Sequence, residues 1–332
     1  MKSALPPSSA APASLGPLGV RLPDAVGDAV MALPALRLLA QRGYGLQVWG
    51  PRWAADVLAG EAWPCHVLPA GWRDAAAAWR GLRERLGAPS GVLPALLMHG
   101  DRASAVAARL GGWQGHGYTG GGRAWLLHRA WPLPDGQPHA VQRLWHLACM
   151  MLDEDLAPPA RLGWQMGPAA AQAAVNLLGS RGLTQRPFVV LCPYGTDGEQ
   201  GVIWPHFAAL AREWAPELAR QGVALLVCAA PGEVDAARRD YPDALVVEGM
   251  GWAASTALLA QAELVVAADG GLGHLAAAVG APLLSVLGPG EAVCDAPWGP
   301  SVQVLRRWPE WLDVAPVLVA ARQRLAQRLA LA

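Results

Sequence analysis

AELVVAADGGLGHLAAAVGAPLLSVLGP, residues Ala262–Pro289, reads as strand, glycine turn, short helix and second strand. Leu264–Ala268 is an unbroken apolar run with two valines, the pattern of a strand buried on both faces of a parallel sheet. Asp269-Gly270-Gly271 ends it. His274–Val279 then reads as a small-residue helix closed by Gly280 and stopped by Pro282, and Leu283–Leu287 as the next buried strand. Such a turn aims helix-start N–H groups at whatever lies above the strand ends, which favours a phosphate or pyrophosphate. Asp269 stands at a strand's carboxyl end, where open α/β sheets place their ligands.

Three readings of this turn compete. Gly271-Leu272-Gly273 with Ala276 satisfies G-x-G-x-x-A, and Glu291 lies 20 residues past Gly271, so a dinucleotide fingerprint is formally present. Against it, the helix has room for about two turns and Glu291 follows the second strand in a loop. The plainest reading is a βα turn whose glycines serve only sterics. The third comes from the wording: Asp-x-Gly-Leu-x-His-Leu-Ala-Ala-Ala-x-Gly-x-Pro, then Leu-Gly-Pro, resembles the donor-site signature of glycosyltransferase family 9, the bacterial lipopolysaccharide heptosyltransferases.

The start of the chain carries a second part of that resemblance. Val20–Leu22 is a short strand, Gly27-Asp28 follows, and apolar positions from Val30 through Leu39 recur at helical spacing up to Gly43. Arg21, Gly27, Asp28, Pro34, Ala35 and Leu36 match the family's entry pattern. The resemblance implies that Asp28 is the general base, taking the proton of the acceptor hydroxyl that attacks the anomeric carbon. Read alone, Gly-Asp could equally be a helix cap. His99-Gly-Asp-Arg102-Ala103-Ser104 is similar to the family's Gln-Gly-x-x-Arg/Lys-Ser segment, with the basic place falling on Ala103 and Arg102 beside it. His139-x-Val-x-Arg143 is similar to another family element. It would contact an anionic acceptor, or simply cap and solvate a helix. Gly111–Arg123 is glycine-rich, suiting either a mobile loop over a cleft or a surface connection. Trp72 and Trp79 read as core.

A chain of 332 residues exceeds the usual single core, so two domains are expected. Strand–helix alternation runs through both halves, and the resemblance implies the GT-B architecture: two Rossmann-like doubly wound α/β domains facing a central cleft. The expected division is a disordered tail 1–19, an acceptor-side domain 20–157, a linker 158–168, a donor domain 169–308, and a helix 309–332 packing back toward the first domain. Formal net charge is zero and no basic run marks a nucleic-acid surface. No run of 18 uncharged apolar residues could span a membrane, and residues 1–19 lack the apolar core of a signal peptide, so a cytoplasmic protein is expected. The five cysteines are widely spaced without C-x-x-C and read as free thiols; the histidines form no metal pattern, so no metal and no cofactor is expected.

What the resemblance implies for function is an inverting transfer of heptose from ADP-heptose to a sugar hydroxyl of the lipopolysaccharide inner core. The acceptor would be lipid-linked and met at the cytoplasmic face of the inner membrane, by peripheral contact. Asp269, Gly270, Gly271, Leu272 and His274 would bind diphosphate and sugar, with Thr196 assisting. Met250, 19 residues before Asp269, would lie against the adenine, and Glu233 near the ribose. Arg21, Arg102 and Arg143 would hold the acceptor. One departure matters: family members carry Lys-x-Trp-Pro where this chain has Val202-Ile203-Trp204-Pro205, so the cation that holds the diphosphate is missing. Losing one such contact typically costs ~3 kcal/mol, about a hundredfold in rate. The alternative from another class is therefore a nucleotide-binding protein of the same shape with impaired catalysis.

Overall fold

The structure, a computed structural model, describes residues 14–88, 92–194, 203–230, 232–289 and 293–330. Thr196, Val202 and Glu291 lie outside them. The first domain comprises β1 (Gly16–Arg21), α1 (Val26–Met31), α2 (Leu33–Gln41), β2 (Tyr44–Gly50), α3 (Ala54–Val57), β3 (Cys65–Val67), α4 (Trp72–Arg85), β4 (Leu93–Leu97), α5 (Arg102–Leu110), β5 (Trp113–Tyr118), β6 (Arg129–Trp131) and α6 (Ala140–Leu152). The second comprises α7 (Pro168–Ser180), β7 (Phe188–Cys192), α8 (Phe207–Arg220), β8 (Ala224–Cys228), α9 (Val234–Asp240), β9 (Leu245–Val247), α10 (Trp252–Leu259), β10 (Leu264–Ala268), α11 (Gly271–Ala278), β11 (Leu283–Val286), β12 (Val302–Leu305) and α12 (Val314–Leu329).

Each half carries a six-stranded parallel sheet. The orders are β3-β2-β1-β4-β5-β6 and β12-β11-β10-β7-β8-β9, the same 3-2-1-4-5-6 winding twice. In that order the chain reverses direction between the first and fourth strands. Loops leaving those two strands part to opposite faces and open a crevice at their carboxyl ends. β1 pairs β4 with Val20 opposite Leu96, and β7 pairs β10 with Leu191 opposite Val266. Arg21 and the loop after β4 therefore flank one switch point, and Tyr194 and Asp269 the other.

The apolar runs are buried as their pattern demands: all five residues of β7, of β8 and of β10 are buried. One apolar cluster passes without interruption from Leu18 and Leu36 of the first domain to Ala257 and Leu275 of the second. The linker is gripped from both sides. Trp164 donates its indole N–H to the Val57 carbonyl at 2.7 Å and its backbone N–H to the Ala278 carbonyl at 3.0 Å.

Several expectations are corrected. The tail cannot extend to residue 19, because β1 begins at Gly16 and pairs in register with Tyr44 onward. Among the described residues, the terminal helix packs on the second domain instead of returning to the first. α12 packs on α8, β10 and β11, its Val317, Ala321 and Leu325 joining the second domain's outer core, with Arg322 paired to Glu217 of α8 at 2.7 Å. Helix 30–39 is two helices, since Pro34 opens α2 and cannot continue α1. Residues 113–118 of the glycine-rich stretch are strand β5, not a loop. Gly115 and Gly117 are there for space: a Cβ on Gly117 would sit 3.1 Å from the Arg123 guanidinium, and one on Gly115 would sit 3.2 Å from Leu97. Trp79 is core at 1% exposed, but Trp72 is 40% exposed.

Candidate active site

The two switch points face each other across the domain boundary, and α1 meets α11 there. Gly27 is a point of close approach. A Cβ at that position would stand 2.6 Å from Cδ2 and 2.9 Å from Cγ of His274, so a larger residue there would have to displace the His274 ring or part the two helices. This contact sets Asp28, the next residue, beside the start of α11. Asp28 is partly buried, and burial pushes its carboxyl above the ordinary carboxylate range. The charges around it are His274 from α11, Asp295 from the loop after β11, Arg143 from α6 and His99 from the loop after β4. Of these Asp295 adds to the upward shift, and the three bases oppose it.

On the second domain's side, Gly270 precedes α11 without a side-chain cap, so the helix presents its amide end uncapped. Gly273 is small because α11 lies on its own strand: a Cβ would be 3.2 Å from the Ala268 carbonyl oxygen. His274 is 5% exposed. Its Nε2 stands 3.5 Å from Asp269 Oδ1, and its Nδ1 has no hydrogen-bond partner among the described residues. Leu272 packs against the shared core. Asp28, Asp269, Gly270, Gly271, Leu272 and His274 are thus brought together where α1 meets α11.

Glu233 and Met250 sit along the same carboxyl edge, after β8 and β9 respectively. Burial raises the Glu233 carboxyl, and its Oε2 is enclosed without a partner among the described residues, as is the Tyr194 hydroxyl. Tyr194 is pushed up to about 12 by burial and by the neighbouring Glu233 and Asp240. Met250 packs on the shared core. Just beyond it, Asp56 of the first domain accepts the Ala253 N–H at 3.2 Å, closing the start of α10 from across the boundary.

The three arginines are placed differently. Arg21 is 4% exposed; its guanidinium donates to Ser104 Oγ at 3.2 Å, to Asp24 Oδ1 at 2.7 Å and to the Leu22 carbonyl. Arg102 is exposed at the first turn of α5. Arg143 is committed across the boundary, donating to Asp295 Oδ1 at 2.7 Å and to the Pro138 carbonyl at 2.9 Å. His139 caps α6 and also reaches the second domain, its Nε2 lying 2.9 Å from the Ala296 carbonyl oxygen. The His-x-Val-x-Arg element is therefore a bridge between domains.

Sequence reasoning assigned no role to His99, Asp101, Arg123 or Asp295. His99 Nε2 lies 3.0 Å from Asp101 Oδ2 and 3.4 Å from Asp24 Oδ2. Arg123, 2% exposed, holds that loop by donating to the main-chain carbonyls of His99, Tyr118 (3.0 Å) and Leu97 (3.4 Å). Asp24, His99 and Asp101 bring three ligand atoms within 4.8 Å of one another, and the trio is already paired internally and with Arg21. The His99-x-Asp101 pair was visible in the family-like segment, whereas Asp295 follows no pattern.

A model of glycosyltransferase family 9 (heptosyltransferase) matches residues 93–313, well over half of the chain. The chain belongs to glycosyltransferase family 9. Its fold is that of solved heptosyltransferases. The ADP-heptose lipopolysaccharide heptosyltransferase II of E. coli is 21% identical, with a TM-score of 0.76 over 93% of this chain and 98% of that one. The family 9 glycosyltransferase of Veillonella parvula is 14% identical, with a TM-score of 0.79 over 95% and 98%. E. coli heptosyltransferase WaaC, solved with ADP-2-deoxy-2-fluoro heptose, is 22% identical, with a TM-score of 0.68 over 92% and 99%. A search of the curated proteins finds no match. The two facing doubly wound domains are thus the GT-B architecture of the family, and the chain is a heptosyltransferase-like glycosyltransferase. Among the described residues, no helix is long and apolar enough to cross a membrane.

Proposed function

We propose that the protein transfers heptose from ADP-heptose to a sugar hydroxyl of the lipopolysaccharide inner core, with inversion and without a metal. The acceptor oxygen attacks the anomeric carbon, the bond from that carbon to the diphosphate breaks, ADP leaves, and the hydroxyl proton passes to Asp28. Inversion follows from the single displacement. The observation that carries the reading is the Gly27–His274 contact, which sets a partly buried carboxylate against an uncapped helix start on the opposite domain. The helix start and Asp269–His274 receive the diphosphate and sugar, with Thr196 assisting. Glu233 and Met250 take the nucleoside, and Arg102 lies on the acceptor side. Two solved structures of this fold carry ADP or an ADP-heptose analogue. A lipid-linked acceptor implies transient contact with the cytoplasmic face of the inner membrane.

Val202, where the family carries lysine, favours a second reading: a nucleotide-binding protein that has lost turnover. One experiment addresses both. With ADP-heptose and a lipopolysaccharide-core acceptor, Asp28→Ala is expected to lower kcat by ~10²–10⁴ while ADP affinity stays within about twofold. Wild-type turnover in the variant removes Asp28 from the chemistry. ADP binding to the wild type without any transfer establishes the second reading.

A further inference from the structure

Where the linker runs past the far end of α11 lies a cavity of about 270 Å³, lined in part by Arg161, Trp164, Met166, Ala260, Gly280 and Ser301. We propose that it binds a small monocarboxylate carrying an apolar body of about one ring. The site is separate from the donor and acceptor positions, and the proposal goes beyond the transferase reading without resting on it.

The two walls of the cavity come from different parts of the chain. One is the linker, which is fixed to the first domain: Arg37 donates to the Leu162 carbonyl at 2.7 Å, and the Trp164 indole to that of Val57 at 2.7 Å. The other is the second domain, where Gly280 follows the end of α11 and Ser301 precedes β12. Those positions lie at the amino ends of β11 and β12. Asp269 and the start of α11 lie at the opposite edge of the same sheet.

The unspent polar groups decide the class of ligand. Arg161 is exposed, and its Nη1 lies 3.7 Å from where a Gly280 Cβ would be; it makes no hydrogen bond or ion pair among the described residues. The negative end of α11 accounts for a cation at this place, but the last carbonyls are taken. Those of Leu275, Ala276, Ala277 and Ala278 accept the N–H groups of Val279, Ala281, Gly280 and Trp164. The guanidinium donors therefore stay open. Ser301 Oγ is enclosed without a partner among the described residues, whereas the Ser301 carbonyl accepts from Arg324 at 2.7 Å. A fixed cation with open donors, beside a hydroxyl that can also donate, calls for an anionic acceptor. A dianion would be repelled by the helix end beside it, so one negative charge suits the site.

Much of the remaining lining is apolar. Trp164 is 7% exposed and has its N–H turned away to Val57, and Met166 is left 42% exposed. Ala260, Ala277 and Ala278 add methyl groups. The volume lies just below the ~300–1,000 Å³ of sites for drug-sized ligands, which suits a single ring.

Phenylacetate and phenylacetamide share a shape and differ in charge, and ligand-observed saturation-transfer NMR on the full chain compares them. Phenylacetate is expected to bind in the millimolar range, and the amide roughly fivefold or more weakly. Arg161→Gln, at an exposed position, should bring the acid down to the level of the amide. Ala260→Trp, also exposed, should fill the cavity and weaken both probes about tenfold or more. Equal binding of acid and amide by the wild type overturns the proposal. So does the absence of acid binding, or acid binding that either substitution leaves unchanged. None of these readouts involves ADP or transfer, so failure here leaves the transferase reading untouched, and failure of that reading leaves this site standing.

Discussion

At Asp28 burial and charge pull in opposite directions, and the upward shift that survives has two measurable consequences. A base must be ionised, so the acid limb of kcat should lie above the ~3.9 of a free aspartate. A limb at or below that value would mean that another group takes the proton. The second consequence concerns stability. A carboxyl whose folded value is raised favours its protonated form in the native state. Its contribution is present below the unfolded value and lost as pH rises through the folded one. At neutral pH the ionised group is therefore a cost, and Asp28→Asn should raise Tm on the order of 1–3 °C at pH 7 while showing no such gain near pH 3. A lower Tm at pH 7 would show that the carboxylate holds the domains together. Residue 202 carries a third prediction, argued from the sequence resemblance. Placing a cation against a diphosphate gives about 4 kcal/mol of gross attraction at 4 Å and an effective dielectric near 20, part of which desolvation consumes. Val202→Lys is thus expected to tighten ADP roughly five- to thirtyfold in low-salt calorimetry. Unchanged affinity would mean that the residue does not face the diphosphate.

Between neighbouring elements the fit is tight enough that single atoms matter. Gly27→Ala puts a methyl into the His274 ring, and overpacking of this kind costs ~1–3 kcal/mol. Because the strain falls between α1 and α11, Tm and ADP affinity should fall together, and an unperturbed Gly27→Ala protein would show that the two helices slide freely. This contact also shows what a sequence can and cannot convey. A parallel strand buried on both faces was legible: residues 264–268 were bounded to the residue, because an unbroken apolar run between turn signals has few other uses. The site glycines and Asp28 were legible as motifs. Strand β5 was not, since its alternate glycines read as loop until Arg123 and Leu97 are seen to occupy the space above them. Trp72 followed the habit of its residue type, but helix α4 turns it outward. The bridge from Arg143 to Asp295 spans 152 positions, and no local pattern encodes a partner at that distance.

Over the whole molecule, the apolar cluster running from Leu18 to Leu275 makes the two sheets one thermodynamic body. Differential scanning calorimetry should accordingly show a single transition with calorimetric and van't Hoff enthalpies in agreement, and two resolved peaks would contradict it. The chain nevertheless passes between the domains only once among the described residues, along the linker that Trp164 pins, because α12 stays on α8, β10 and β11. Chains of this shape whose last helix crosses back must be cut in two places before their halves can be exchanged. Here one junction within 158–168 is enough. Acceptor halves could be recombined with donor halves from relatives by a single splice, provided that each pairing keeps a glycine opposite a histidine where the halves meet. Modularity of that kind would let a lineage try new sugar partners by one recombination event instead of by many point changes.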